Sequence, residues 1–279
     1  MNTLHLIYPE KSTIAYKTML FPDGQPHIKI DVKSLEPLDK RERLIIRTRL
    51  SNSNDLLTVL FIKNTLDYLE FEHVELDISY LTAARMDRIM LDGEPFSLKV
   101  IAGIINQGDF KKVRIFDPHS ETSTALIDRS YAIPNHQFVK EAIADYFQKN
   151  PAHPYCLVSP DAGALKKIHK LAQFLQIDNL VECMKERDVK TGALVDFKTT
   201  VEDLQNQTCF IVDDICDGGG TFVGTAKMLK EKGAGKVILI VSHGIFSKGT
   251  SITHIDEIYS TDSFRQVDGI HCFSIENYW

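Results

Sequence analysis

Two adjacent carboxylates, Asp213 and Asp214, stand directly after the apolar run 209–212 and shortly before Asp217-Gly218-Gly219-Gly220-Thr221. Each part of this string has a chemical use. Glycines lack the Cβ that keeps backbone N–H groups away from an anion, and a helix N-terminus behind them adds about half a positive charge. Thr221 adds a hydroxyl donor. Such a loop cradles a phosphate. Paired aspartates accept hydrogen bonds from vicinal hydroxyls, so the spacing predicts a sugar phosphate as ligand. Two other anion-binding patterns are excluded, because the chain spells neither Gly-x-x-x-x-Gly-Lys-Ser/Thr nor Gly-x-Gly-x-x-Gly.

Five further clusters could do chemistry. Ser159-Pro160-Asp161-Ala162-Gly163 follows the apolar run 156–158 and puts another acid at a strand end, where Asp161 also has the residue type of a helix N-cap. Asp117-Pro118-His119-Ser120 follows the run 112–116 and offers one imidazole. Arg85-Met86-Asp87-Arg88 carries two guanidinium groups; these are surface charge or, given their planar fork, bidentate phosphate contacts. Phe21-Pro22-Asp23-Gly24-Gln25 reads as a Pro-Asp-Gly turn between strands. Met184-Lys185-Glu186-Arg187-Asp188 reads by composition as an exposed charged loop.

The elements that must position these residues alternate. Strand-like runs at 4–8, 28–32, 44–48, 73–78, 112–116, 155–158, 209–212 and 236–242 are interleaved with helical patterns at 55–69, 96–107, 135–147, 163–175 and 222–232. That alternation predicts an α/β protein with parallel sheets covered by helices. A length of 279 residues fits two domains, and Ile133-Pro134-Asn135 is the natural break, dividing the chain into 1–134 and 135–279.

Bulk properties narrow the classes. The net charge of −6 without a strongly basic block argues against nucleic acid as a partner. The five cysteines form no C-x-x-C pair, which predicts a reducing compartment and no disulfide scaffold. No apolar run reaches about 18 residues and the first residues lack a signal-peptide pattern, so the expectation is a cytoplasmic protein without a membrane partner.

The segment 209–221 resembles the phosphoribosyl-pyrophosphate loop of type I phosphoribosyltransferases. Ser242-His243-Gly244-Ile245-Phe246-Ser247 is similar to the strand ending of one family with that fold, the ribose-phosphate pyrophosphokinases. The resemblance runs in order from Phe21 to Ser247. It implies two tandem type I phosphoribosyltransferase-like domains, each a mostly parallel sheet flanked by helices. It also implies Mg²⁺-dependent transfer of the β,γ-pyrophosphoryl group of ATP to the anomeric hydroxyl of ribose 5-phosphate, giving phosphoribosyl pyrophosphate and AMP. ATP would be bound by Phe21, Asp23, Gln25, Arg85, Asp87 and His119, and the ribose phosphate by Asp161, Asp213, Asp214, Asp217, Gly218, Gly219, Gly220 and Thr221. His119 and Asp161 would contact the metal, and Lys185 and Arg187, on the family's mobile catalytic loop, would stabilise the transition state. A homo-oligomer, dimer or hexamer, is implied too, with Phe21 meeting adenine across a subunit boundary.

Several positions depart from the family pattern. Pro118 replaces leucine, Met86 glutamine and Gln25 glutamate, and only residues 9–20 separate the first strand from Phe21 where the family fits a full helix. Gly218 stands where the family has threonine, so the cradle loses a hydroxyl donor and gains room. A larger 5-substituted ribose such as ADP-ribose is therefore an alternative acceptor. A phosphoribosyltransferase would not need Lys185-x-Arg187, and non-catalytic regulatory relatives typically lose the catalytic-loop residues that this chain keeps.

Overall fold

The structure is a computed structural model that describes residues 2–187 and 194–279. The chain divides into two compact units, Met1–Ile133 and Pro134–Trp279. The first contains β1 (Asn2–His5), β2 (Tyr16–Leu20), β3 (Pro26–Ile30), β4 (Leu44–Leu50), α1 (Ser53–Tyr68), β5 (Val74–Leu81), α2 (Ser97–Asn106), β6 (Val113–Phe116), α3 (Thr122–Leu126) and β7 (Ser130–Ile133). Its main sheet has the order β1-β4-β5-β6-β7 and is parallel throughout. β2 and β3 form a separate antiparallel hairpin.

Alternation along the strands explains the core of this unit. Leu44, Ile46, Leu76, Ile78, Val113 and Ile115 project from one face and pack with Leu56, Val59, Ile62 and Leu66 of α1 and Leu98, Ala102 and Ile105 of α2. On the opposite face Arg47, Asp77 and Arg114 occupy registered positions of β4, β5 and β6 and form an ion-paired row. α1 starts where its sequence says it should, with Asn52 and Asp55 forming a reciprocal capping box.

The second unit contains α4 (His136–Lys149), β8 (Tyr155–Ser159), α5 (Leu165–Leu175), β9 (Leu180–Arg187), β10 (Leu194–Thr199), β11 (Thr208–Cys216), α6 (Gly220–Glu231), β12 (Lys236–Gly244), β13 (Glu257–Thr261) and β14 (His271–Phe273). The sheet order is β10-β9-β8-β11-β12-β13-β14, parallel except for β10, which runs against β9. The chain winds outward from β8 to β10, then returns to the other side of β8 as β11. The strand order therefore reverses between β8 and β11, and ligands of open α/β sheets bind outside the carboxyl ends of strands at such a reversal. The near-continuous apolar run of β12 is buried on both faces, as a central parallel strand requires.

Three local expectations are corrected. The run 209–212 does not end before the aspartates: β11 continues to Cys216 because β12 keeps pairing with it through Cys216↔Gly244. The segment 184–187 is not a loop but part of β9, where buried Val181 and Cys183 alternate with exposed Glu182 and Met184. α6 begins at Gly220 rather than Phe222, so Gly220 and Thr221 belong to its first turn. Strands β2, β7, β9, β10, β13 and β14 carry too short or too polar an apolar pattern to be read from sequence. Among the described residues no helix is long and apolar enough to cross a membrane.

Candidate functional site

In the second unit the crevice is opened by strand length. β8 pairs with β11 only as far as Val158↔Ile211, whereas β11 runs on beside β12 alone from Asp213↔Val241 to Cys216↔Gly244. Beyond Val158 the β8 chain turns away through residues 160–164, which leaves one side of Asp213 and Asp214 without a neighbouring strand. Asp161 stands in that turn. Its Oδ1 accepts from the Ala164 N–H at 3.0 Å, and the Ser159 hydroxyl donates to the Asp161 carbonyl at 2.8 Å, so Asp161 closes the turn before α5 rather than capping it, the N-cap being Ala164. Gly163 leaves this contact undisturbed, since a Cβ there would lie 3.1 Å from the Asp161 Oδ1 and press on it.

The three acids meet electrostatically. The Asp214 N–H donates to Asp213 Oδ1 at 2.9 Å, and Asp214 is only 6% exposed. Burial, then the Asp214 charge and a carboxyl–carboxyl hydrogen bond with it, then the Asp161 charge push the Asp213 carboxyl well above the usual carboxylate range. Acids crowded in this way bind a cation, or hydroxyl donors, to relieve the repulsion. Their oxygens suit a hard cation such as Mg²⁺. Among the described residues no group of three or more His, Cys, Asp or Glu is gathered closely enough to hold a metal alone. Mg²⁺ fits this donor set on the terms it usually accepts, with one or two carboxylates and the remaining ligands from water and substrate oxygens.

The cradle follows within one turn. Gly219 adopts φ +75° and ψ −2° as the N-cap of α6 and supplies no side chain to the helix start. The first amides of a helix have no intrahelical acceptor, so the N–H groups of Gly220, Thr221 and Phe222 are left for an anion. Beneath the loop, burial and the charges of Asp213 and Asp217 push the Cys216 thiol up to about 12, against a stabilising backbone N–H from Gly219. The chain after β12 comes back over the loop: a Cβ at Gly219 would lie 3.3 Å from Ile252, and one at Gly218 would lie 3.5 Å from the Lys248 stem. Nothing in the sequence announced this cover beyond its position after a strand end.

β9 places the backbone of Lys185 and Arg187 opposite Phe197 and Leu194 of β10. Their side chains, and Asp188, lie outside the described residues. The hairpin rests on the cradle helix, for Phe197 fills the space over Gly224 of α6, where a Cβ would lie 2.0 Å from the ring. This contact was invisible in the sequence, since Gly224 lies inside the helical pattern 222–232 and Phe197 belongs to a separate segment.

In the first unit Arg85 and Asp87 follow the end of β5, and His119 follows the end of its neighbour β6. Both chain exits are sharp, with Ala83 at φ +60° and Asp117 at φ +36°. Arg85 and His119 are exposed at this carboxyl edge, and Asp87 is half-buried with Arg88 Nε at 3.8 Å, a weak surface pair. Phe21, Asp23 and Gln25 form the β2–β3 turn. It closes with the Phe21 N–H on the Gln25 carbonyl at 2.9 Å, and Asp23 Oδ1 accepts from the Gln25 N–H at 3.1 Å. Asn54, at the start of α1, donates to the Gly24 carbonyl at 3.2 Å and ties the turn to the carboxyl end of β4. Phe21 is 42% exposed, with His27 tilted against it at 5.4 Å, so it still offers area for stacking.

The phosphoribosyl transferase domain family matches the chain over residues 131–271. A ribose-phosphate pyrophosphokinase of Pyrococcus abyssi is 28% identical over 229 residues, covering 82% of this chain and 76% of that protein. The enzyme of the same name from Mycoplasmopsis pulmonis is 27% identical over 249 residues, covering 88% and 75%. The crystal structure of phosphoribosylpyrophosphate synthetase from Mycobacterium smegmatis shares the fold with a TM-score of 0.80 at 18% identity, over 99% of this chain and 96% of that one.

Proposed function

Because this chain belongs to the phosphoribosyl transferase domain family, and within it to the ribose-phosphate pyrophosphokinases, an enzyme family, we propose that it transfers the β,γ-pyrophosphoryl group of ATP to the anomeric hydroxyl of ribose 5-phosphate. The observation that carries this reading is the convergence of Asp161, Asp213 and Asp214 with the uncapped N-terminus of α6 at the β8–β11 reversal. Asp213 and Asp214 accept from the ribose hydroxyls, and the amides of α6 with the Thr221 hydroxyl bind the 5-phosphate. Nucleotide binding is assigned to the first unit. Phe21 stacks on the base, Asp23 and Gln25 accept from its edge, and Arg85 with His119 addresses the phosphates, supported by Asp87.

Alignment of the sugar O1 with the β-phosphorus supplies much of the catalysis through positioning, with AMP as leaving group. Asp161 of the second unit and His119 of the first are the residues that would contact Mg²⁺, with substrate oxygens completing its shell, and the ion would supply neutralisation of phosphate charge. Lys185 and Arg187 stabilise the charge that grows on the transferring group, an effect worth roughly 10³-fold or more in rate. The same two side chains would exclude water that otherwise hydrolyses ATP. A cytoplasmic homo-oligomer completes the proposal.

One observation favours a second acceptor. Gly218 is exposed, and the atoms nearest to a Cβ there belong to the flexible Lys248 stem, which can swing aside, so the cradle has room for a 5-substituent such as that of ADP-ribose. The test is AMP formation from ATP and Mg²⁺ with ribose 5-phosphate and ADP-ribose offered in parallel. AMP with ribose 5-phosphate alone supports the first reading, and AMP with ADP-ribose alone the second. No AMP with either refutes both in favour of a non-catalytic member.

A further inference from the structure

We propose that Lys248 is a specificity-determining residue of the acceptor site, its ammonium binding the anionic oxygens of the acceptor's 5′-phosphoryl group in place of the hydroxyl that Gly218 lacks. The inference deepens the reading of the 217–221 loop as a phosphate cradle and rests on it. Cδ and Cε of Lys248 both lie 3.5 Å from where a Cβ of residue 218 would stand. The ammonium is one C–N bond further along, within about 5 Å of the same point. The Lys248 stem therefore lies beside the space into which a longer side chain at 218 would grow, with its ammonium in reach of it.

The stem of Lys248 starts from a fixed base. The N–H groups of Ile245 and Phe246 both donate to the Cys216 carbonyl, at 2.9 and 3.1 Å, which clamps the chain after β12 onto the end of β11. The Arg265 guanidinium holds the Ile245 carbonyl at 2.6 Å, and the Gly249 N–H closes a turn on the Phe246 carbonyl at 3.0 Å. Phe246 is buried, and Ile252, a few residues on, packs over Gly219. One short segment thus covers both leading glycines of the cradle, a lysine over the first and an isoleucine over the second. Among the described residues no carboxylate pairs with Lys248.

The chemistry is favourable. An ammonium donates charge-assisted hydrogen bonds to phosphate, roughly twice as strong as those of a neutral hydroxyl. It complements the helix amides, which offer the anion partial charges only. It also responds to the charge of the ligand: a phosphate monoester, nearly dianionic, gains more from it than a singly charged phosphodiester or an internal pyrophosphoryl oxygen.

The experiment measures dissociation constants by calorimetry for ribose 5-phosphate, ADP-ribose and orthophosphate, beside acceptor and ATP KM values. The proteins compared are the wild type, Lys248→Gln, Lys248→Arg and, as a charge control on the exposed face of α6, Lys227→Gln. Lys248→Gln is expected to weaken the acceptor that the wild type binds roughly 10- to 100-fold, in Kd and in acceptor KM, with the ATP KM unmoved. Lys248→Arg recovers part of the loss, and Lys227→Gln shows none. Adding Gly218→Thr to Lys248→Gln also recovers part of it, because the new hydroxyl enters the vacated space. A loss confined to ribose 5-phosphate assigns the contact to a monoester, and one confined to ADP-ribose to a pyrophosphoryl oxygen. Acceptor Kd values for Lys248→Gln within twofold of wild type overturn the inference while leaving the proposed function intact. A wild type that binds none of the three ligands overturns both.

Discussion

Replacing Gly224 by alanine adds one methyl group at the point where the cradle helix carries the β9–β10 hairpin. The Cβ would start 2.0 Å from Phe197 Cε2 and 2.3 Å from Cζ. Carbon atoms rest at about 3.5–4.0 Å, so the ring has to retreat by about 1.5–2 Å. Phe197 is the direct cross-strand partner of Lys185, and its retreat draws β10 and then β9 with it. Stability changes little, because alanine gains about 1 kcal/mol of helix propensity over glycine and the overpacking against the ring costs about 1–3 kcal/mol, offsetting most or all of it. Tm should stay within a few degrees of wild type. Catalysis is far more sensitive, since a misplacement of about 1 Å can cost on the order of 10²-fold. Steady-state AMP formation should therefore show kcat down roughly 30- to 100-fold. The decisive comparison adds Phe197→Leu to Gly224→Ala, which removes the clashing ring atoms and should recover a large part of kcat. If Gly224→Ala alone keeps kcat within threefold of wild type, the ring swings aside without moving the strand. The idea that this contact positions Lys185 and Arg187 then fails.

Other substitutions test the remaining roles. Asp213→Asn removes a carboxyl whose folded pKa is raised, and such a group contributes stability in full below its unfolded pKa of about 3.9 and loses it as pH rises through the folded value. The variant should melt a few degrees above wild type at pH 8 and show no advantage near pH 4, as read by thermal scans across pH, while its acceptor affinity falls. Lys185→Ala or Arg187→Ala should lower kcat by roughly 10³-fold with ATP and acceptor Kd values within a few-fold of wild type; a change in KM alone would reassign these residues to ground-state binding. Phe21→Ala should raise the calorimetric Kd for ATP about 10-fold, the scale of one lost base–aromatic stack, and leave the acceptor Kd unchanged.

The cradle was legible in the chain because its parts are neighbours in sequence. The apolar run, paired acids, glycines and helix start act through backbone amides whose geometry is local, and the two-unit α/β plan follows from apolar runs alternating with helical ones. The turn at Phe21–Gln25 was readable for the same reason. Other features were set by the order of strands. Asp161 reaches Asp213 only because β8 and β11 become neighbours after the chain has gone out to β10 and back. The raised pKa of Asp213 owes most to burial in the assembled sheet, and only then to the charge of its chain neighbour Asp214. The charged 184–187 segment became a strand because β10 runs back along it and pairs with it, which composition does not record. The steric fit of Phe197 on Gly224 and the reach of Lys248 over Gly218 join residues from separate elements. Local order in the sequence determines which groups can bind a phosphate. Strand topology decides which carboxylates, cations and rings stand beside it, because contact and desolvation arise only once distant segments are packed together.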